Sequence, residues 1–326
     1  MATIRLAILS LLSDQQLHSG KAIASKLACS RSAIWYQIQK LKKMGFNIRS
    51  SSRLGYQLCD FFDPVDIHHI EHTLGQHKPP YHLKLLEQTG STNTDLRETA
   101  RQGEHHKSVL ISEKQTKGRG RRGRKWHATF GKSLLFSVLW RFEKPMDNLA
   151  SLTLAVGVSL IRTFTKLGID HLKLKWPNDL VEAAQYGKIA GTLIEIQGNM
   201  STACAAIIGI GINVYEQQPE AKMDYPCVAL ATLTKDLPGR NDILTQLLMD
   251  LDHTLGLYEE HQLVPFVDEF NRHCAWLNQP VTAILPSGQN IKGLCKGIDK
   301  NGALLIFLPE TNTLYPLTSG DISLRQ

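Results

Sequence analysis

KGRGRRGRK, residues 117–125, places six cations and three glycines in nine positions, and how it is read decides the fold. Gly118, Gly120 and Gly123 form a GxGxxG, the fingerprint of a dinucleotide site on a doubly wound sheet. The run is also basic enough to grip nucleic acid, or to be a substrate loop whose cations meet an anion. A dinucleotide fingerprint opens an apolar helix after its third glycine and meets an acid about 20 residues later. Here Gly123 leads into Arg124, Lys125, Trp126 and His127, then into the strand-like SLLFSVLWRF (133–142), with Arg141 where the acid belongs. The dinucleotide match is therefore accidental.

A loop between two buried strands is what remains, because the apolar SVLIS (108–112) precedes the run. Glycines let backbone N–H groups approach an anion, and arginines clamp phosphate or carboxylate oxygens with two parallel hydrogen bonds. Six like charges on such a backbone repel one another, so the loop is expected to order only around an anionic ligand.

Outward from the loop, strands and helices alternate. LKLLE (83–87) leads to Ser91, Thr92 and Asn93, which offer N-cap chemistry for a helix over 94–102. Leu152, Ala155, Val158 and Ile161 share one face of a helix over 148–167, and strands follow at 172–176, 188–196 and 206–214. Consecutive strands joined by short turns predict an antiparallel or mixed sheet with helices on one side, hence α+β. Two helices, 241–260 and 264–275, close this region. From 279 onward, short strands separated by turns at Gly288, Gly302, Pro309 and Gly320 predict a small SH3-like β-barrel.

Charge is concentrated at the other end. Residues 1–58 carry nine Lys/Arg against Asp14 alone, a net of +8, so the remainder sums to −1 within the chain's +7. A helix over 3–12, a second over 21–28 capped by Ser19, and a third from Arg31 to Met44 capped by Ser30 make a helix-turn-helix. FNIRSSSRLGYQL (46–58) then reads as two short strands and a basic turn, the wing of a winged helix. A basic helical module of this shape points to DNA, with Ser30, Arg31, Ser32, Tyr36, Gln37 and Lys40 toward the groove and Arg49 and Arg53 flanking a phosphate. A helical protein-interaction module with an incidentally basic surface is the alternative. The divisions expected are 1–60, a linker with one short helix over 61–80, a central domain over 81–276, and 277–326.

The 42% apolar and 21% charged content is that of a soluble globular chain, and no apolar run approaches the ~20 residues of a membrane span. The first 16 residues read as an amphipathic helix rather than a signal peptide. Six scattered cysteines lack any CxxC, and thirteen histidines lack HExxH, which suits buried thiols in a cytoplasmic protein without structural zinc.

GRGRRGRKW (118–126), preceded by Gln115, resembles the signature loop of biotin–protein ligases. Ser91-Thr92-Asn93, KWPND (175–179), GKIAGTLIE (187–195) and GIGINV (209–214) match in order and spacing, as do GIDKNGALL (297–305) and GDISLR (320–325) of the C-terminal barrel. With the winged helix, the whole chain is similar to the bifunctional branch that also represses the biotin operon.

The resemblance implies a class II synthetase-like core that uses ATP and Mg²⁺ to convert biotin to biotinyl-5′-AMP. The biotinyl group then passes to a lysine of the biotin carboxyl carrier protein. It implies catalytic Lys188, Arg119 and Arg121. Ser91, Thr92, Asn93, Gln115, Gly118, Gly120 and Ile212 would join these around biotin. Trp126, Lys175, Asn178, Asn213, Arg325 and again Arg121 would hold the nucleotide, with Asp179 a weaker candidate for Mg²⁺. It further implies a homodimer on operator DNA and no membrane partner. A lipoate-type ligase and a ligand-sensing transcription factor without ligase activity are the alternatives.

Overall fold

The structure is a computed structural model of the 326-residue chain. It describes residues 4–51, 54–75, 81–144, 146, 149–198, 204–216, 226–285 and 287–319, and the backbone of 321–324.

The first elements are α1 (Ile4–Leu12), α2 (Gly20–Lys26), α3 (Arg31–Lys43), β1 (Ile48–Ser51) and β2 (Gly55–Leu58). The Ser19 and Ser30 hydroxyl oxygens accept the N–H groups of Ala22 and Ala33, each at 3.1 Å, so both expected caps form. β1 and β2 pair antiparallel as the wing. Gly55 (φ +111°) is required there, since a Cβ would sit 2.1 Å from the His18 carbonyl oxygen that Tyr56 N–H pairs with. Ile8, Leu12, Ile34, Ile38, Leu41 and Phe62 form a separate small core. α4 (Ile67–Gly75) lies in the stretch expected to be a linker. It is firmly seated, with Ile70 and Leu74 buried in the central core.

The central sheet contains β3 (His82–Leu86), β4 (Ser108–Ser112), β5 (Ser133–Phe142), β6 (Leu172–Lys175), β7 (Asp179–Glu182), β8 (Lys188–Gly198) and β9 (Cys204–Asn213), with α5 (Thr92–Arg101) and α6 (Leu152–Lys166) between them. Its order is β3-β4-β5-β9-β8-β7-β6, and only β3 and β4 run parallel. The expected mixed sheet is present. β7 is an addition: four residues with acids at both ends carry too little pattern to announce a strand.

The helices do not keep to one side. α6 and α7 (Arg240–His261) cover one face, where Leu154, Phe164, Leu247 and Leu251 meet Val109, Val138 and Ile208. α5 covers the other, with Leu96 and Ala100 over Leu110, Leu139, Ala205 and Ile207. Strands buried on both faces demand helices on both, because each fully buried large apolar side chain contributes about 1.5–3 kcal/mol. Residues 149–166 are also long and apolar enough, by composition, to cross a membrane; here 72% of that window is buried inside the protein.

α8 (Val267–His273) leads to β10 (Pro280–Ile284), β11 (Asn290–Ile298), β12 (Leu304–Leu308), β13 (Thr313–Leu317) and β14 (Asp321–Leu324), an all-antiparallel set in the order β13-β12-β11-β10-β14. The Gly302 turn docks this unit: its carbonyl accepts Trp176 Nε1–H at 3.0 Å.

Candidate active site

A cavity of about 300 Å³ opens on the α5 side of the sheet, between the glycine-arginine loop, β8 and β9. Twelve of the residues expected at the site line it: Ser91, Thr92, Asn93, Gln115, Arg119, Gly120, Arg121, Trp126, Lys175, Asn178, Asp179 and Lys188. Most lie far apart in sequence, and the sheet order brings them together.

One end is neutral and hydrogen-bonding. α5 begins at Thr92, so Ser91 stands at the N-cap position without making a side-chain cap bond. Gln115 supplies it instead, its Oε1 accepting Thr92 N–H at 2.7 Å. Ser137 Oγ lies 2.7 Å from Thr92 Oγ1 and 2.6 Å from Asn93 Oδ1, while Asn93 Nδ2 donates to Leu193 O and Glu195 Oε2 at 3.0 Å each.

The floor is made by alternation along β9. Gly209 and Gly211 face the cavity side: a Cβ at Gly209 would stand 2.2 Å from Asn93 Oδ1, and one at Gly211 2.6 Å from the Trp126 ring. Ile208, Ile210 and Ile212 alternate into the central core. Ile212 was expected at biotin but is fully buried behind the floor, and Asn213 spends its amide on the Lys188 carbonyl at 3.1 Å. Neither lines the cavity.

The loop has a defined path here. Gly120 N–H donates to Arg124 O at 2.7 Å and Trp126 N–H to Gly118 O at 3.0 Å, around a tight turn at Arg121–Gly123. Arg122 takes the left-handed conformation (φ +54°) that the following Gly123 adopts more cheaply. Gly118 is also off the cavity wall; its missing Cβ makes room for the Trp126 carbonyl 2.7 Å away. Arg119 reaches sideways, donating to Glu195 at 3.1 and 3.2 Å and to Thr94 Oγ1 at 3.1 Å. Glu195 thus anchors the loop and, through Arg97 at 3.0 Å, helix α5.

At the centre, Lys188 Nζ lies 2.7 Å from Asp179 Oδ1 and 5.3 Å from the Trp126 ring centroid. Gly191 makes this possible, since a Cβ there would meet Lys188 Nζ at 2.9 Å. Lys188 N–H also donates to Pro226 O at 2.8 Å, and beside it burial pushes the Cys227 thiol up, partly opposed by the lysine charge. The far end is aromatic and cationic: Lys175 Nζ is 5.2 Å from the Trp276 ring, and Tyr186 meets Trp276 edge-on at 6.2 Å. Asn178 is locked to β8 by Nδ2–H donating to Thr192 O at 3.0 Å.

Among the described residues no three His, Cys, Asp or Glu side chains cluster as metal ligands, leaving Asp179 as the carboxylate at the cavity's cationic centre. Arg53 and Arg325 lie outside the described residues. The sequence reading missed Ser137, Glu195, Gly191, Tyr186 and Trp276. The glycine-isoleucine alternation and Glu195 at the close of GKIAGTLIE were available signals; Tyr186 and Trp276 had none.

On α3, Arg31 and Ser32 are exposed and Tyr36 is 54% exposed, with Lys40 Nζ 4.5 Å from its ring. Trp35, 55% exposed, joins that surface unannounced. Gln37 turns the other way, its Oε1 accepting from Arg5 at 3.4 Å, while Arg49 is exposed on β1.

A winged helix joined to a mixed-sheet core, whose cleft sets a glycine-arginine loop over a lysine–aspartate pair, defines a carboxylate-activating protein ligase fused to a DNA-binding module. Residues 85–213 match the biotin/lipoate A/B protein ligase family, residues 4–57 an HTH domain, and residues 276–325 the biotin protein ligase C-terminal domain. The chain is 34% identical to the bifunctional ligase/repressor BirA of Escherichia coli over 99% of this chain and 98% of that protein. It is 28% identical to the Bacillus subtilis protein of the same name over 99% of each. The biotin protein ligase of Aquifex aeolicus, solved with biotin and ATP, superposes with a TM-score of 0.64 at 28% identity, covering 75% of this chain and 99% of that one. The chain belongs to the biotin protein ligase family, in its bifunctional ligase/repressor branch.

Proposed function

We propose that this chain activates biotin with ATP, transfers the biotinyl group to a lysine of a biotin carboxyl carrier protein, and represses transcription in response to biotin. The observation that carries the reading is the Lys188–Asp179 pair, placed under Trp126 between a neutral end and an aromatic-cationic end.

In the first step a biotin carboxylate oxygen bonds to the α-phosphorus of ATP, and the bond from that phosphorus to the pyrophosphate oxygen breaks. Two anions must meet, so positioning and charge neutralisation supply most of the acceleration. Lys188, steered by Asp179, bridges carboxylate and α-phosphate, and Arg121 neutralises the phosphate from the loop. Arg119 acts through its Glu195 anchor, holding the loop over the ligand. The hydroxyl and amide groups of Ser91, Thr92, Asn93 and Gln115 suit the uncharged ureido ring. Lys175, Asn178 and Tyr186 face the nucleotide. One carboxylate with phosphate oxygens is a common setting for Mg²⁺, so Asp179 would hold the ion, which offsets triphosphate charge when bound. In the second step the ε-amine of the carrier lysine attacks the acyl carbon, the bond to AMP breaks, and the amine loses its proton to water.

The N-terminal module, 1–60, supplies operator binding, with 61–80 as connection, 81–276 as ligase core and 277–326 as barrel. A homodimer would present two α3 helices to a two-fold operator. The six cysteines form no disulfide, which suits a cytoplasmic setting.

Incubation with ATP, Mg²⁺, a carrier domain and either biotin or lipoate tests the reading. Labelling with biotin alone is expected. An unlabelled carrier with biotin refutes it, and labelling by lipoate alone moves the chain to the sister activity.

A further inference from the structure

Arg240 is 1% exposed, as is its partner Glu113, and neither lines the cavity. A buried guanidinium is costly unless all its donors are satisfied. Here all five N–H groups are used, on three segments. Nε donates to the Asp63 carbonyl at 2.8 Å, one terminal nitrogen to Glu113 Oε2 at 2.7 Å and Ser133 O at 3.1 Å, and the other to Glu113 Oε1 at 3.1 Å and again to Asp63 O. Glu113 stands two residues before Gln115, Ser133 opens the strand that leaves the loop, and Asp63 follows Phe62 of the N-terminal core. One side chain therefore pins both ends of the substrate loop and the exit of the DNA-binding module.

Two further contacts follow the same line. Phe130, on the return arm of the loop, meets Phe46 at 5.4 Å and Phe62 at 6.3 Å, and packs against both the central and the N-terminal core. Gly131 (φ +70°) lets that arm close on Phe62, whose ring a Cβ would reach at 2.5 Å. Asp63 Oδ2 accepts both the Arg240 N–H at 2.6 Å and the Tyr215 hydroxyl at 2.8 Å, and Tyr215 follows the β9 floor by two residues.

We propose that Arg240 is a positioning residue that couples the substrate loop to the DNA-binding module within one chain, so that filling the cavity tightens residues 59–65. The inference rests on the ligase reading, since it needs ligand in the cavity. Coupling needs an element with two states, and a loop that closes on an anion when the cavity fills would supply them.

Hydrogen exchange of the full chain, with and without biotin plus ATP, tests it. Wild type is expected to gain protection in 115–132 and, by about fivefold or more, in 59–65. Tyr215→Phe, which removes one hydroxyl from a residue that does not line the cavity, keeps the first gain and loses the second. Arg240→Lys keeps the charge but not the fork; it raises KM for biotin about tenfold with kcat within about twofold. Protection of 115–132 without any in 59–65 overturns the coupling and leaves the ligase reading intact. So does a lowered Tm in both variants with unchanged KM and an unchanged response in 59–65. If 115–132 gains no protection and no carrier is labelled, both readings fall together.

Discussion

Lys188 Nζ stands 2.7 Å from Asp179 Oδ1 with their side chains only 15% and 18% exposed, so the cation is held at one place in the cavity before any ligand arrives. A charge fixed in advance need not reorganise as the phosphorus changes geometry. Lys188→Ala is expected to slow pyrophosphate release about a hundredfold or more, and Asp179→Asn about tenfold. Transfer from supplied biotinyl-5′-AMP should suffer less. Equal loss in both half-reactions would overturn a role of Lys188 specific to the first step.

The Arg119–Glu195 contact predicts a loop effect of modest size. Arg119 is 42% exposed at its side chain, so the pair contributes about 0.5 kcal/mol, roughly a twofold change in loop opening. Glu195→Gln should speed tryptic cleavage at Arg121 to Arg124 by about that factor without ligand, and biotin plus ATP should slow cleavage in wild type. An unchanged cleavage rate in the variant would detach Glu195 from the loop.

Gly209→Ala forces a Cβ to within 2.2 Å of Asn93 Oδ1, which is pinned by Ser137. Overpacking of this kind costs about 1–3 kcal/mol, and biotin KM should rise about tenfold or more. Gly256→Ala is the control: nothing lies within 4 Å of its Cβ position in α7, so a gain of up to about 1 kcal/mol is expected. Calorimetry and KM together separate the two outcomes.

His106 makes stability depend on pH. Burial, with a smaller contribution from Lys107, holds its pKa below the ordinary 6.5, and its Nδ1 accepts Arg141 N–H at 3.0 Å. A folded pKa below the unfolded one means the unfolded chain binds more protons in the window beneath 6.5, so stability declines as pH falls through it. His273, lowered by burial and Lys173, acts in the same sense. Tm should drop between neutral and mildly acidic buffer, and His106→Gln should flatten part of that slope; an unaltered slope would clear His106.

Arg31 is exposed at the start of α3 and belongs to no part of the cavity. Arg31→Ala should lower the slope of log affinity against log salt by about one on a random-sequence duplex, with ligase activity unchanged. A salt slope equal to wild type would take Arg31 off the phosphate backbone.

The legible parts were those written in local pattern. Ser19 and Ser30 cap the helices they precede, because a hydroxyl before a helix start has one short-range job. The strands 108–112 and 133–142 appear with the bounds their composition announced. Ser91 misled because Gln115, 24 residues away in sequence, brings a better acceptor to the first N–H of α5. Ile212 misled because a motif does not say which face of a strand meets the ligand, whereas the period of two sends Gly211 one way and Ile212 the other.

By itself, then, the chain's order of residues determined the helix-turn-helix, every central strand but β7, the loop and twelve of the residues that line the cavity, since propensity, capping and alternation act over a few positions. Only the tertiary structure decided that Arg119 answers to Glu195, that Lys188 is held by Asp179, and that Arg240 joins Asp63, Glu113 and Ser133. Those partners are set by strand order and by the need to satisfy every charge taken out of water, and neither is local in sequence.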